Sequence, residues 1–277
     1  MPAIIRRLSP RGLEDVDYAA GSLAEAVAFE PIDGVYTVGN TWHGTKALLF
    51  EAHLHRLEAS ARHQGIPLDY DRQQLKAALR AMILEADFGD VRYRISIPAS
   101  RPDTLLITLE PYDPPADTLV RQGVRCVTSG AEQRKGPTAK TSDWMHIRAT
   151  LQDRQGPGTY EIILLDDNGF MLEGTTSNFY AILDGHLYTA GSGVLAGISR
   201  RIVLEICREI LPFRLKAPHI DDLPGMQEAF LTSSSRGIIP IVEINGKAVD
   251  KGVVGEKTNR LRRAYESWVS KNLEELG

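Results

Sequence analysis

Apolar and polar residues alternate through positions 34–50, GVYTVGNTWHGTKALLF, and the alternation breaks at His43-Gly44. Successive strand side chains point to opposite faces, so this pattern predicts two strands around a tight turn. The period then lengthens. EAHLHRLEASARHQG offers Leu54 and Leu57 for packing and ends at Gly65, while DRQQLKAALRAMILEADFG carries Leu75, Leu79, Met82 and Ile83 at helical spacing and stops near Gly89. VRYRISI and DTLLITLEPY return to alternation and predict strands. The segment EPYDPPADT, 110–118, concentrates prolines and acids and reads as a linker. It divides the chain into a first domain over 1–115 and a second over 116–277.

The second half opens with a strand around Cys126. A loop, GAEQRKGPTAKTS, leads into a helix with Trp144, Ile147 and Leu151 on one face. TYEIILL, FMLEGTTSNFYAIL and HLYTA read as strands, and the DDNG and DG between them predict antiparallel hairpins. A helix from near Ser199 carries Ile202, Val203, Ile206, Cys207 and Ile210, and a last one from about Glu256 carries Leu261, Tyr265 and Trp268. Strands and helices mix without strict βαβ alternation, so the fold class expected is α+β in two domains.

Composition narrows the function. A net charge of −4 over 277 residues argues against a general nucleic-acid binder, whose footprint is basic. Cys126 and Cys207 both sit in apolar runs and read as buried thiols, too few for a disulfide framework or a thiolate zinc site. No stretch approaches the roughly 20 apolar residues of a membrane span. These features predict a cytoplasmic protein with no membrane and no nucleic-acid partner. His53 and His55 lack the spacing of a helical zinc pair, and no metal is expected.

Several residues carry candidate chemistry. Glu173 interrupts an apolar run and, in a strand, shares a side with Met171. It is either a solvated acid on an edge strand or a buried carboxylate with a partner. Gly197, Ile198 and Ser199 stand where a helix begins, and free N–H groups there suit a phosphate; the alternative is that Ser199 simply caps the helix. Ser234, within LTSSSRG, sits in a polar turn or a second anion cradle. Lys140 follows small residues directly before a helix. A lysine that joins an aldehyde covalently needs a lowered pKa, and Arg134 and Lys135 are near in sequence; a surface lysine is the other reading. Arg56 shares a helix flank with His53 and Ser60 and offers a bidentate phosphate clamp.

The order of these segments, DGVYTV, LLFEAHLHRLEASA, AKTS, LEGTTSNFYAILDGHLYTA, LAGISR and FLTSSSRGIIPIVEINGK, resembles that of the class IV, or fold-type IV, pyridoxal-phosphate aminotransferases, nearest to their D-amino-acid branch. The resemblance implies a small N-terminal α/β domain, a larger domain with a β-barrel-like core, and a homodimer. It implies pyridoxal 5'-phosphate as cofactor, an amino donor and a keto-acid acceptor. It also implies roles: Lys140 as the Schiff-base lysine, Glu173 on the pyridine nitrogen, Arg56 on the phosphate with Ile198, Ser199 and Ser234, and Tyr36 facing the substrate. Two departures bear on substrate. Relatives place a carboxylate-trapping arginine where this chain reads Ile97-Pro98, leaving Arg92, Arg94 or Arg101 as substitutes. Arg236 stands where relatives carry a small residue, and is expected to bind a substrate carboxylate. A branched-chain aminotransferase and an aminodeoxychorismate lyase are the alternative activities.

Overall fold

The computed structural model describes residues 2–130, 136–153 and 156–277. In chain order the regular elements begin with β1 (Ile4–Ser9), β2 (Gly12–Asp15), β3 (Gly34–Trp42), β4 (Lys46–Leu48), α1 (Phe50–His63), α2 (Arg72–Ala86), β5 (Val91–Pro98) and β6 (Leu105–Pro111). There follow α3 (Asp117–Gln122), β7 (Val124–Ser129), α4 (Ser142–Asp153), β8 (Glu161–Leu165), β9 (Met171–Gly174), β10 (Asn178–Leu183) and β11 (His186–Tyr188). The chain closes with α5 (Ile198–Cys207), β12 (Phe213–Arg214), β13 (Glu228–Ser233), β14 (Gly237–Ile244), β15 (Lys247–Ala248), α6 (Glu256–Lys271) and β16 (Leu273–Glu275). They form two compact units. The first comprises Met1–Asp113, Ala139–Ala149 and Asn272–Gly277; the second comprises Pro114–Thr138 and Thr150–Lys271.

The first unit is built on a seven-stranded sheet in the order β16-β4-β3-β5-β6-β1-β2. Strand alternation sets its two faces. On β5, Val91, Tyr93, Ile95 and Ile97 join a core with Leu54 and Leu57 of α1 and Leu75, Leu79 and Met82 of α2. The same period turns Arg92, Arg94 and Ser96 to the opposite face. The β3–β4 turn spans the three residues 43–45 between the paired Trp42 and Lys46, with φ of 54° at His43 and 81° at Gly44. Asp71 caps α2 by accepting from the N–H groups of Gln73 and Gln74, at 2.7 and 3.2 Å.

The second unit carries a nine-stranded sheet. Its strands run β10-β13-β14-β7-β8-β9, and β9 pairs back to β10, so these six close into a barrel. The closing pair is Glu173 opposite Asn178. Met171, Phe179, Leu231, Ile239 and Ile241 belong to the unit's core. The α+β class and the barrel-like core expected from the sequence are both present.

Several local expectations are corrected. FMLEGTTSNFYAIL is not one strand but two, β9 and β10, separated at residues 175–177. Part of the proline-rich linker is the short helix α3, which ends at Gly123. Ile147 of α4 is 37% exposed and does not share the buried face of Trp144 and Leu151. Cys126 and Cys207 are free and buried; burial pushes the Cys207 thiol up to about 11, and the Cys126 thiol rises for the same reason. Among the described residues, no helix is long and apolar enough to cross a membrane, and no group of three or more His, Cys, Asp or Glu is placed to hold a metal.

Candidate active site

In the first unit, Lys140 is held by its backbone on both sides. Its N–H donates to Ser60 Oγ at 3.0 Å, and its carbonyl accepts from the Tyr36 N–H at 3.1 Å. The ammonium lies 4.5 Å from the centre of the Tyr36 ring, itself fully buried. A cation over an aromatic face is a placed group, and the surface reading of Lys140 does not hold. Ser60 reaches Lys140 because it sits one turn beyond Arg56 on α1, where its hydroxyl also donates to the Arg56 carbonyl at 2.8 Å.

Arg56 is tied to β3 through Thr37, whose Oγ1 accepts from Arg56 Nη2 at 3.2 Å. His53 Nδ1 lies 3.0 Å from the same hydroxyl and 3.5 Å from Arg56 Nη2. Arg56 can only donate, so Nδ1 is the acceptor and the ring proton sits on Nε2. Burial first, and then the charges of Arg56 and Lys140, hold His53 well below the usual histidine range. The imidazole is therefore neutral and serves as a prop for Thr37 and Arg56. Arg134 and Lys135 lie outside the described residues.

In the second unit, Glu173 is 3% exposed, which removes the solvated-edge reading. Its Oε2 accepts from the Leu195 N–H at 3.0 Å and from Asn178 Nδ2 at 3.3 Å. Both donors are neutral, and they fix the direction of the carboxylate. Asn178 Nδ2 also donates to the Leu195 carbonyl at 3.0 Å, which ties the 189–197 loop to the head of β10. That loop delivers Gly197 as the cap of α5, so Ile198 and Ser199 are the first two helical residues and Ser199 is not the cap. Their N–H groups are among those an α-helix leaves without internal partners.

Ser199 Oγ is hydrogen-bonded to Tyr265 OH at 2.8 Å. The Tyr265 ring also backs Gly237, where an added Cβ would sit 3.4 Å from it. Ser234 belongs to the three-residue turn between β13 and β14, which Gly237 closes with φ +60°. Tyr265 thus supports both segments expected to cradle a phosphate, and the helical periodicity of α6 showed it only as a packing residue.

The two arginines assigned to substrate carboxylates already have carboxylate partners. Arg94 is 2% exposed; it pairs with Glu30 and donates to the Leu23 carbonyl at 2.7 Å, while Ser96 bonds the other Glu30 oxygen. This is a sealed structural pair, and the substrate role for Arg94 is corrected accordingly. Arg92 bonds Glu110 at 3.2 Å. Arg236 bonds Ser233 Oγ at 2.9 Å, Thr176 Oγ1 at 2.5 Å and Glu161 Oε2 at 3.2 Å, yet its side chain keeps a quarter of its surface exposed. Glu161, 2% exposed, also accepts from the Thr176 N–H and the hydroxyls of Thr175, Thr176 and Ser177. It holds the turn that follows Glu173.

Sequence reasoning missed Asn178, Glu161 and Arg148, and it placed Ser60 on the flank of Arg56 without its bond to Lys140. The signal for Glu161 was present: a lone acid in TYEIILL, opposed by a cluster of hydroxyls. Arg148 lies beyond Lys140 on α4; its Nη1 donates to Tyr36 OH at 3.4 Å, with the guanidinium carbon 5.9 Å from that ring's centre.

Comparison with known proteins settles the family. The Amino-transferase class IV profile matches residues 34–244, and the chain belongs to that family. It is 27% identical over 249 residues to the D-alanine aminotransferase of Bacillus licheniformis, covering 85% of this chain and 87% of that protein. It is 26% identical over 250 residues to a branched-chain-amino-acid aminotransferase of Pseudomonas aeruginosa, covering 83% and 81%. The fold matches the T.th. branched-chain amino acid aminotransferase with pyridoxamine 5'-phosphate at a TM-score of 0.83 and 19% identity, over 100% of this chain and 99% of that one. The protein is a pyridoxal-phosphate-dependent class IV aminotransferase. Its residues fit that cofactor by their chemistry: an amine, a buried carboxylate, a guanidinium and the N-terminus of a ten-residue helix.

Two outcomes follow. Arg94→Met leaves Glu30 charged and buried, and is expected to lower stability to urea by about 3–5 kcal/mol. The double variant with Glu30→Met recovers most of that loss; equal losses in both would show that the pair is not the cause. His53 has a folded pKa below its unfolded value, so its contribution is complete above about pH 6.5 and is lost as pH falls below that. Unfolding free energy is expected to drop by up to about 1.4 kcal/mol per pH unit below 6.5 more in the wild type than in His53→Gln. Parallel pH curves would place the titration elsewhere.

Proposed function

We propose that this enzyme transfers the amino group of an α-amino acid to a 2-keto acid, with Lys140 as the group that moves the proton. The observation that carries the reading is the two-sided backbone anchorage of Lys140, with its Nζ held over the Tyr36 ring. When bound, pyridoxal phosphate supplies the aldehyde that takes up the amine and the ring that draws electrons from the substrate Cα. With the cofactor bound, Lys140 Nζ would hold it between turnovers and would serve as the base that takes up and gives back the substrate's Cα proton. Glu173 would face the cofactor's ring nitrogen and hold a proton there, and its near-complete burial would make such a pair several-fold stronger than in water. Arg56 and the N–H groups of Ile198 and Ser199, with Ser234, bind the phosphate and so fix the ring. Tyr36, fully buried, backs Lys140 Nζ rather than meeting the substrate directly.

The D-alanine aminotransferase of Bacillus licheniformis makes D-amino acids the first donors to test, and the P. aeruginosa relative makes branched-chain L-amino acids the second. We assign the enzyme to the cytoplasm, supported by two free buried thiols, and to a homodimer, supported by the family resemblance. The exposed quarter of Arg236 supports a contact with the substrate's anionic end that coexists with its bond to Glu161.

The test is a half-reaction screen. The holoenzyme is mixed with D-alanine, L-leucine and other amino acids, and conversion of its near-visible absorbance band is followed. One stereochemical series is expected to convert the band and the other to leave it. Lys140→Ala is expected to lose the band and to slow proton transfer by about 10²–10⁴-fold. Retention of the band and of turnover in that variant would remove Lys140 from the reaction.

A further inference from the structure

We propose that Arg148, steadied by its hydrogen bond to the Tyr36 hydroxyl, recognises the α-carboxylate of the amino-acid and keto-acid substrates; the inference rests on the transaminase reading above. Several arginines of the first unit have carboxylate partners. Arg94 is matched by Glu30, Arg92 by Glu110, Arg6 by Asp15 and Glu85, and Arg72 by Glu51 and Glu58. Arg148 differs. Among the described residues it has no carboxylate partner, and its hydrogen bond goes to a neutral phenol at 3.4 Å. A guanidinium has five N–H donors in a planar fork that fits a carboxylate, and this contact uses one nitrogen.

Its location gives that capacity a use. Arg148 and Lys140 belong to the same short segment of the first unit, Ala139–Ala149. Both address one buried ring: Lys140 Nζ lies 4.5 Å from the centre of Tyr36, and the Arg148 guanidinium carbon 5.9 Å from it while reaching the hydroxyl end. An α-amino acid carries its amine and its carboxylate on one carbon. A substrate whose amine reacts beside Lys140 therefore presents an anion within a few ångströms, and the fork of Arg148 is a donor of the right kind for it. Partial burial raises the worth of such a bond above that of a surface pair. The same geometry selects against amines that lack a carboxylate, because the guanidinium then stays unmatched.

The test compares substrates with and without the anion. Holoenzyme carrying Arg148→Gln or Arg148→Lys is assayed with alanine, pyruvate and sec-butylamine, the last resembling alanine with ethyl in place of carboxylate. Arg148→Gln is expected to raise KM for alanine and pyruvate by about 10- to 100-fold, the range of a lost charge-assisted contact, with kcat changed much less. Its rate with sec-butylamine does not fall, because a lost carboxylate contact weakens only substrates that carry one and no guanidinium is then left unmatched. Arg148→Lys gives an intermediate KM, since the charge remains and the fork is lost. Independently of turnover, propionate is expected to raise the Tm of the wild type and not that of Arg148→Gln. Equal losses with alanine and sec-butylamine would make Arg148 a structural residue and overturn the proposal, as would an unchanged KM or a propionate shift that survives the substitution. If Arg148→Gln does not fold, Arg148→Lys decides by the same ratio. A wild type that never converts its absorbance band with any amine overturns the transaminase reading and this inference with it; conversion of the band with an unchanged alanine-to-sec-butylamine ratio overturns this inference alone.

Discussion

A carboxylate buried inside a closed barrel is the constraint around which the second unit is arranged. Taking a charge out of water costs several kcal/mol, and Glu173 is compensated by two directed N–H donors from separate parts of the chain. Asn178 does this while its backbone pairs with Glu173 to close the barrel, so the strand closure and the orientation of the acid are one event. The effect extends to α5. An added Cβ at Gly197 would fall 2.2 Å from Asn178 Oδ1, so only glycine admits that approach, and the start of the helix is placed by the residue that holds the acid.

A second acid makes the turn after Glu173 possible. Thr175, Thr176 and Ser177 have little turn propensity of their own compared with glycine or asparagine. They are gathered by Glu161 from the neighbouring strand, and Arg236 balances its charge from the β13–β14 turn. Gly174 lies between these groups; a Cβ there would sit 2.3 Å from Ser177 Oγ and 2.9 Å from Glu161 Cγ. The Glu-Gly-Thr-Thr-Ser run is thus one packing solution, in which a small residue lets a polar turn fold over a buried acid.

Much of this architecture was legible in the sequence, and the failures have a common cause. Helices α1, α2, α5 and α6 and the strands around them follow from local period, and the His43-Gly44 turn follows from local backbone preference. The break between β9 and β10 does not, because what bends the chain there is Glu161, fourteen or more residues away in the sequence. Arg94 failed in the same way: its register on β5 was evident, but its partner Glu30 is 64 residues distant. The first unit's claim on Lys140 through Ser60 spans 80 residues. The roles of Lys140, Glu173 and Arg56 entered through resemblance, since a single chain shows residue types but not the distant groups that set their charge.

The distribution of charge gives the last step. In the first unit Lys140, Arg56 and Arg148 gather around Tyr36 and Thr37, and His53 beside them is kept neutral by burial and by the charges of Arg56 and Lys140. In the second unit the buried Glu173 carboxylate accepts from the Leu195 N–H and Asn178 Nδ2. One unit therefore offers donors to anions and the other an acceptor for a protonated nitrogen. Within each unit the described side chains constrain the charge of a bound group more tightly than its shape.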